Sequence, residues 1–250
     1  MVEFIYGVPG SGKTSYIMSR LASDVRVGRR AFVIVPEQQT VEVERAVADR
    51  LPPQAQLSVE ALNFSRLANR IFRERGGLVY NYADKSRKLL FMWRALRECA
   101  PMLSEYGGRA ASDASLSSAM LQSVREFKAC GITPKKLAEA SRRFSSGRSS
   151  DRALGGKLGD LSLIYAAYSA LLSQNFTDSD DDLSRLAEKL ADEPYFGGSS
   201  VYIDSFSSFT GQEHEIIKLI MRQADEVVIT LPLSSPADRA LCSFSSRKCS

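Results

Sequence analysis

Four short apolar runs stand out along an otherwise amphipathic chain: VEFIY (2–6), AFVIV (31–35), SSVYID (199–204) and DEVVITLPL (225–233). Each is of strand length, nearly continuous in its apolar residues and bounded by glycine, proline or polar positions. That is the pattern of strands covered on both faces of a parallel sheet. Between them the spacing shifts towards three and four. SYIMSRLA (15–22) brings Tyr16, Ile17 and Leu21 to one helical face. EQQTVEVERAVADRL (37–51) reads as a helix after Pro36, and GQEHEIIKLIMRQA (211–224) as the helix joining the last two strands.

From residue 61 to 194 the helical spacing dominates. ALNFSRLANRIFRERGG (61–77) ends on a glycine pair suited to a C-cap. KSRKLLFMWRALREC (85–99), LQSVREFKACG (121–131), KLGDLSLIYAAYSALL (157–172) and DDLSRLAEKLAD (181–192) are further amphipathic helices. In ITPKKLAEASRRF (132–144) Thr133 is a good N-cap, with Pro134 at the first helical position. GGRAASDASLSSAM (107–120) reads as a mobile polar connection and SSGRSSDRALGG (145–156) as a Gly/Ser loop. The expected fold class is α/β, a parallel sheet with a helical insertion. Residues 1–60 and 195–233 form one discontinuous domain, 61–194 the insertion and 234–250 an irregular tail.

The net charge is +4, from 33 Lys/Arg and 29 Asp/Glu. Residues 61–157 hold 19 basic side chains against 8 acidic, and the rest of the chain 14 against 21. A basic block between acidic segments suits a polyanion, or is a set of solvated arginine-rich helix faces; composition leaves both open. Cys99, Cys130, Cys242 and Cys249 are widely spaced with no Cys-x-x-Cys pair, which fits a reduced cytoplasmic protein without disulfides or a zinc site. No run approaches membrane-span length, and MVEFIYGVPG lacks the basic and apolar regions of a secretory signal, so no membrane association is expected.

GVPGSGKT (7–14) lies between the first strand and the first helix and matches the phosphate-binding loop pattern, with Gly7, Gly12, Lys13 and Thr14 at its fixed positions. Glycine lets successive backbone N–H groups turn inward as a concave nest, and the following helix aims its positive end at the same anion. Gly7, Val8, Pro9, Gly10, Ser11, Gly12, Lys13 and Thr14 are therefore the expected ATP-binding residues. Lys13 reaches the β- and γ-phosphates, and the Thr14 hydroxyl ligates Mg²⁺. Asp204, ending VYID, is the expected second magnesium residue, although a strand-end aspartate alone is often a cap or turn residue. Ser205 follows it, where ATP-hydrolysing proteins of this kind usually carry a glutamate to orient water. A serine hydroxyl is no base at neutral pH. Losing a general base slows such a reaction by about 10²–10⁴-fold, so the site should bind ATP and turn it over poorly. Glu213 is an alternative base farther along the chain.

In order over residues 2–233, GVPGSGKT, VIVPEQQTVEVERAV, LNFSRLANRIFRERGG, FKACGITPKKL, KLGDLSLIYAAYSALL and VYIDSFSSFTGQE resemble the N-terminal region of the AddB family, B subunits of bacterial helicase–nucleases related to superfamily I DNA helicases. The resemblance implies a P-loop NTPase (RecA-like) sheet with a helical insertion. It also implies Mg·ATP and DNA as ligands, an AddA-type helicase–nuclease partner, and work on double-strand DNA ends in recombinational repair. The segment after the second strand faces single-stranded DNA in such proteins, so Gln38, Gln39 and Thr40 are candidate contacts for DNA or nucleotide; the plain alternative is a helix start capped by Thr40. Arg66, Arg70 and Arg73, with Arg75, Phe64 and Phe72 nearby, form a cationic stripe for DNA phosphates or a partner-subunit interface.

Family members continue into a second RecA-like domain and a nuclease domain with an iron–sulfur cluster. None of that follows Ser250, so the chain reads as a fragment, and the cluster ligands are not transferred to its cysteines. Two other classes stay open: a small-molecule P-loop kinase, against which the long basic insertion argues, and a non-catalytic scaffold stabilised by nucleotide. His214 reads as a helix-surface residue, Trp93 as core packing, and DSDDD (178–182) as a solvated loop capping the next helix.

Overall fold

The computed structural model describes residues 1–110, 114–144 and 149–232. β1 (Val2–Tyr6), α1 (Lys13–Arg26), β2 (Arg30–Ile34), α2 (Thr40–Arg50), the single turn α3 (Pro53–Gln56), β3 (Val59–Leu62) and α4 (Phe64–Arg75) come first. The helices α5 (Lys85–Cys99), α6 (Gly107–Ala110), α7 (Ala114–Ala129), α8 (Pro134–Phe144), α9 (Ser149–Ser173) and α10 (Asp182–Asp192) follow. β4 (Ser199–Ile203), α11 (Gly211–Gln223) and β5 (Glu226–Leu231) complete the described chain. Contacts divide it into two compact units, Met1–Gly77 with the chain from Arg185, and Leu78–Ser184. The limits read from the sequence are 60/61 and 194/195, and α4 falls with the sheet.

The first unit is a five-stranded, wholly parallel sheet in the order β1-β5-β4-β2-β3, a RecA-like α/β architecture. β4 lies at its centre and is buried along its whole length, two serines followed by Val201, Tyr202 and Ile203. On one face Ile17 and Leu21 of α1 and Val43 and Val47 of α2 pack on Val33, Tyr202 and Val228. On strands themselves, alternate residues face the opposite side, where Phe32 meets Phe196 edge-on, 5.3 Å between ring centroids. The Tyr202 hydroxyl donates to the Asp24 carboxylate, joining β4 to the last turns of α1. Burial, and then that bond, raise the Tyr202 phenol above its ordinary pKa.

β3 has no counterpart in the sequence reading. SVEAL lacks a continuous apolar run because Glu60 interrupts it, and that carboxylate holds Arg30 at 2.9 Å and Arg70 at 2.8 Å. Ala61 and Leu62, read as the start of a helix, finish this strand instead, and Asn63 caps α4 by accepting from Arg66 N at 2.7 Å. The glycine pair does end that helix, with Gly76 at φ 81°.

The helical unit closes on Met92, Leu96, Met120, Val124, Ile164 and Tyr168. Thr133 caps α8 as its sequence predicts, accepting from Lys136 N at 3.3 Å. Two loop expectations are corrected. Residues 149–156 open α9 and residues 107–110 and 114–120 are helical, while 145–148 and 111–113 lie outside the described residues. Two glycines of α9 sit where side chains of neighbouring segments come close. A Cβ on Gly156 would lie 3.0 Å from Glu105 Oε1, and one on Gly159 3.1 Å from Ser141 Oγ. One position on from Gly159, buried Asp160 accepts from the backbone N–H groups of Ser104, Glu105 and Tyr106 at 2.9, 2.7 and 3.0 Å.

Two further expectations change. Trp93 is not core: it is 39% exposed, with the Arg97 guanidinium 4.7 Å from its ring centroid. DSDDD is not a solvated loop. Asp178 is 4% exposed and binds the ammonium groups of Lys88 and Lys128, the latter at 2.8 Å, and the Tyr168 hydroxyl at 3.2 Å. It also accepts from Asp180 N at 3.1 Å, the capping part of the expectation. Cys99 is buried and Cys130 exposed, both free thiols; Cys242, Cys249 and the expected irregular tail (234–250) lie outside the described residues. Among the described residues no helix is long and apolar enough to cross a membrane.

Burial works to raise the Asp178 carboxyl, but Lys128 first and Lys88 after it outweigh burial and bring it to about 2, below its ordinary 3.8. A carboxylate depressed in the folded state stabilises above its unfolded pKa and loses that contribution as pH falls through the folded one. Acid titration should therefore destabilise the helical unit between about pH 4 and pH 2, with Asp181, raised by its own burial, offsetting a part. Asp178→Asn should cost about 1–3 kcal/mol at neutral pH, since Lys88 and Lys128 lose their shared carboxylate but keep Asp180 and Asp181, and should flatten that acid limb; circular dichroism across a pH series measures both.

Candidate functional site

All the chemistry-bearing segments of the sheet unit emerge at the carboxyl ends of its parallel strands, where open α/β sheets place their ligands. Gly7 follows β1, Asp204 follows β4, Thr230 is near the end of β5, and Gln39 lies in the turn after β2. They surround a cleft of about 480 Å³ whose lining includes Lys13, Thr14, Gln39, Asp204, Ser205 and Thr230.

The loop is shaped by its glycines. Gly10 and Gly12 have φ of 80° and 86°, a conformation side chains rarely adopt, and a Cβ on Gly7 would sit 2.2 Å from Ser11 Oγ. Ser11 N donates to Val8 O at 3.2 Å, closing the turn. Gly12 occupies the N-cap position of α1, and no side chain caps that end. The first turn of a 14-residue helix therefore presents its N–H groups to the cleft. Lys13 Nζ donates to Gly7 O at 2.7 Å and Val8 O at 3.0 Å, which holds the ammonium over the loop.

Asp204 is 2% exposed and bound on every side. Its backbone N–H donates to Ile34 O at 3.0 Å, extending the β4–β2 ladder past the strand. Oδ2 accepts from the Thr14 hydroxyl at 2.8 Å, and Oδ1 from the Thr230 hydroxyl. Thr230 is a site residue that the motif reading missed. Its signal was present: a lone hydroxyl within the buried aliphatic run VVITL, where an unpaired polar group is costly. β5 lies between β1 and β4, so this hydroxyl spans from the intervening strand to the carboxylate.

Ser205 turns away from the sheet with φ 68°, the only positive value at a non-glycine among the described residues. Its N–H points at Thr230 Oγ1, 3.4 Å away, and next to it Phe206 packs against Phe64 and Phe209 at centroid distances of 5.5 and 5.0 Å. Glu213 does not line the cleft. It forms a capping box with Thr210, accepting from Thr210 N at 2.8 Å while its own N–H donates to Thr210 Oγ1 at 3.3 Å. His214, beside it in α11, is half-buried.

Of the three candidates after β2, Gln38 is exposed and Gln39 half-buried in the cleft wall. Thr40 is 3% exposed, begins α2 rather than capping it, and donates to Glu37 O at 3.1 Å. It has no surface to offer a ligand. In the arginine stripe Phe64 and Phe72 are buried, so neither is a platform for a base. Arg66 pairs with Glu44 at 2.9 Å and Arg70 with Glu60 and Glu74, both at 2.8 Å. Arg73 is exposed and shares with Arg66, Asn69 and Arg70 a groove of about 420 Å³. The stripe is thus partly neutralised by carboxylates of the same unit.

Among the described residues no cluster of three His, Cys, Asp or Glu side chains could hold a metal. Magnesium with a nucleotide needs no such cluster: it uses one or two protein oxygens, phosphate oxygens and water. The hydrogen-bonded pair Thr14 Oγ1–Asp204 Oδ2 fits that donor set, and the glycine cradle with its uncapped helix end fits the phosphates.

Residues 4–246 match the family model described as ADDB, N-terminal. The chain is 30% identical over 239 residues to the B subunit of the ATP-dependent helicase/deoxyribonuclease of Caldanaerobacter subterraneus subsp. tengcongensis, a match covering 95% of this chain and 20% of that protein. The B subunits of the same name from Acetivibrio thermocellus and Clostridium tetani are 31% identical over 231 residues and 30% over 232, each covering 92% of this chain and 20% of the relative. The chain thus spans about a fifth of the length of these curated relatives.

Removing the Thr230 hydroxyl while keeping its shape isolates its role. Thr230→Val should cost about 1–3 kcal/mol, because it leaves a buried carboxylate oxygen without its donor. Urea titration should show a lower midpoint at an unchanged slope.

Proposed function

The chain belongs to the AddB N-terminal family, and from that premise we propose that it is the nucleotide-binding, DNA-associated segment of a helicase/deoxyribonuclease B subunit. Its ligands in this reading are Mg·ATP in the cleft at the sheet's carboxyl edge and DNA, and its partner is an AddA-type helicase–nuclease subunit. Its role is the processing of double-strand DNA ends for recombinational repair in the cytoplasm. One observation carries the nucleotide reading: the Thr14 hydroxyl and the Asp204 carboxylate, 190 positions apart, meet at 2.8 Å beside an uncapped helix end and its glycine loop.

In this reading the loop amides and Lys13 hold the phosphates, and Thr14 and Asp204 hold the magnesium. The metal, when bound, neutralises charge on the phosphate oxygens. Lys13 exchanges its two carbonyl partners for phosphate oxygens, replacing neutral acceptors with charged ones. Slow turnover is supported by what surrounds Asp204: a serine follows it in a left-handed turn, and Glu213 is engaged in a helix cap. The segment then acts as a nucleotide-occupied element of a larger machine, and contributes no nuclease chemistry of its own. DNA association is supported by the exposed Gln38 and by the groove containing Arg66, Arg70 and Arg73.

Calorimetric titration of the intact protein tests this. Lys13→Ala should weaken Mg·ATP binding by about 10–100-fold, the value of a hydrogen bond between charged groups; unchanged affinity would refute the site. Hydrolysis by this site should run about 10²–10⁴-fold below that of a site with a positioned base. DNA affinity should fall steeply with salt, as phosphate contacts require.

A further inference from the structure

Among the described residues, no hydrogen bond or ion pair ties the Gln39 side chain to the rest of the fold. Gln39 is the sole carboxamide among the residues lining the cleft. It stands at the N-cap position of α2, where a side chain ordinarily accepts from the first helical turn, yet it makes no capping bond.

The turn that carries it is nevertheless closely built. Gln39 N donates to Pro36 O at 2.9 Å, Thr40 N donates to Glu37 O, and the buried Thr40 hydroxyl closes the same turn at 3.1 Å. The turn leaves β2 beside β4, where Ile34 pairs with Ile203 and accepts from Asp204 N. The exits of these two strands, one bearing the magnesium candidate and one bearing Gln39, are therefore held in fixed register. A polar group fixed in a cleft wall by a pinned backbone, and without a partner among the described residues, is suited to a ligand atom.

We infer that Gln39 is the residue by which this site distinguishes a nucleoside triphosphate from a diphosphate: its amide N–H donates to an oxygen of the terminal phosphate. The inference rests on the nucleotide reading above and specifies a contact within the same cleft. The loop and Lys13 come from β1 and α1, and magnesium would sit with Thr14 and Asp204, so Gln39 supplies the wall on the β2 side. A carboxamide offers two donors without adding charge and gains from an anionic acceptor. It is no general base, so its place in the wall is compatible with recognition without turnover. The contact also gives the nucleotide a route outward, because Gln39 leads directly into α2, and Gln38 beside it faces solvent.

The test is the ratio of two affinities measured on the intact protein by calorimetry with magnesium, one for a nonhydrolysable ATP analogue and one for ADP. Gln39→Ala should weaken the analogue by about tenfold or more, the loss of a hydrogen bond to a charged group, and leave ADP within about twofold. Gln39→Glu, of equal size, should lower the ratio at least as far, because its carboxylate repels the terminal phosphate. Both affinities come from one preparation, so a partly unfolded variant lowers the stoichiometry and leaves the ratio intact. A ratio that stays unchanged or rises in the alanine variant overturns the inference while the site reading stands. A wild-type protein that binds neither nucleotide ends both.

Discussion

A buried carboxylate needs partners, and Asp204 finds them in three parts of the chain that are remote in sequence. The Ile34 carbonyl takes its amide hydrogen, and the hydroxyls of Thr14 and Thr230 occupy its oxygens. These bonds join the start of α1, the end of β2 and the carboxyl ends of β4 and β5. Without them the sheet would keep its apolar core and its ladders, but the head of α1 would lose its direct tie to the end of β4. The dependence runs the other way as well: a carboxyl 2% exposed is tolerable only because hydrogen bonds replace the water it gives up.

The same junction governs what the cleft can do. Thr230 donates to Asp204 and faces the N–H of Ser205, so the turn after β4 is fixed by the strand that separates it from β1. A left-handed serine costs energy, and persists because Phe206, immediately after it, is packed between Phe64 and Phe209. The serine that follows Asp204 is therefore more than a side-chain difference. The backbone there takes a course at which a long side chain would be both strained and differently aimed.

The legible parts of the sequence were those whose signals are local. The loop, its flanking strand and helix, Asp204 at a strand end and the Thr-Pro cap of α8 each depend on neighbours a few positions away. What escaped depends on distant partners. Glu60 broke the apolar run of β3 because Arg30 and Arg70, from β2 and α4, neutralise it. Gly155 and Gly156 read as loop residues, yet they lie within α9, where a Cβ on Gly156 would crowd the Glu105 side chain at 3.0 Å. DSDDD reads as surface until Lys88 and Lys128, 90 and 50 residues upstream of Asp178, are placed beside it. The arginine stripe looked free because sequence shows the spacing of charges along a helix and not the carboxylates across from it.

α1 is joined to β4 at both of its ends, by Thr14 to Asp204 at the head and by Asp24 to Tyr202 near the tail, with Arg29 bridging Asp24 and Glu226 at 3.1 and 3.5 Å. A rod fixed at two points can neither slide along its axis nor roll about it. The loop at its head is thereby preorganised: its donors are held in place beforehand, and little conformational entropy would be lost on capture of an anion. Discrimination between ligands would then come from the groups each one meets across the cavity, not from the work of ordering the cradle.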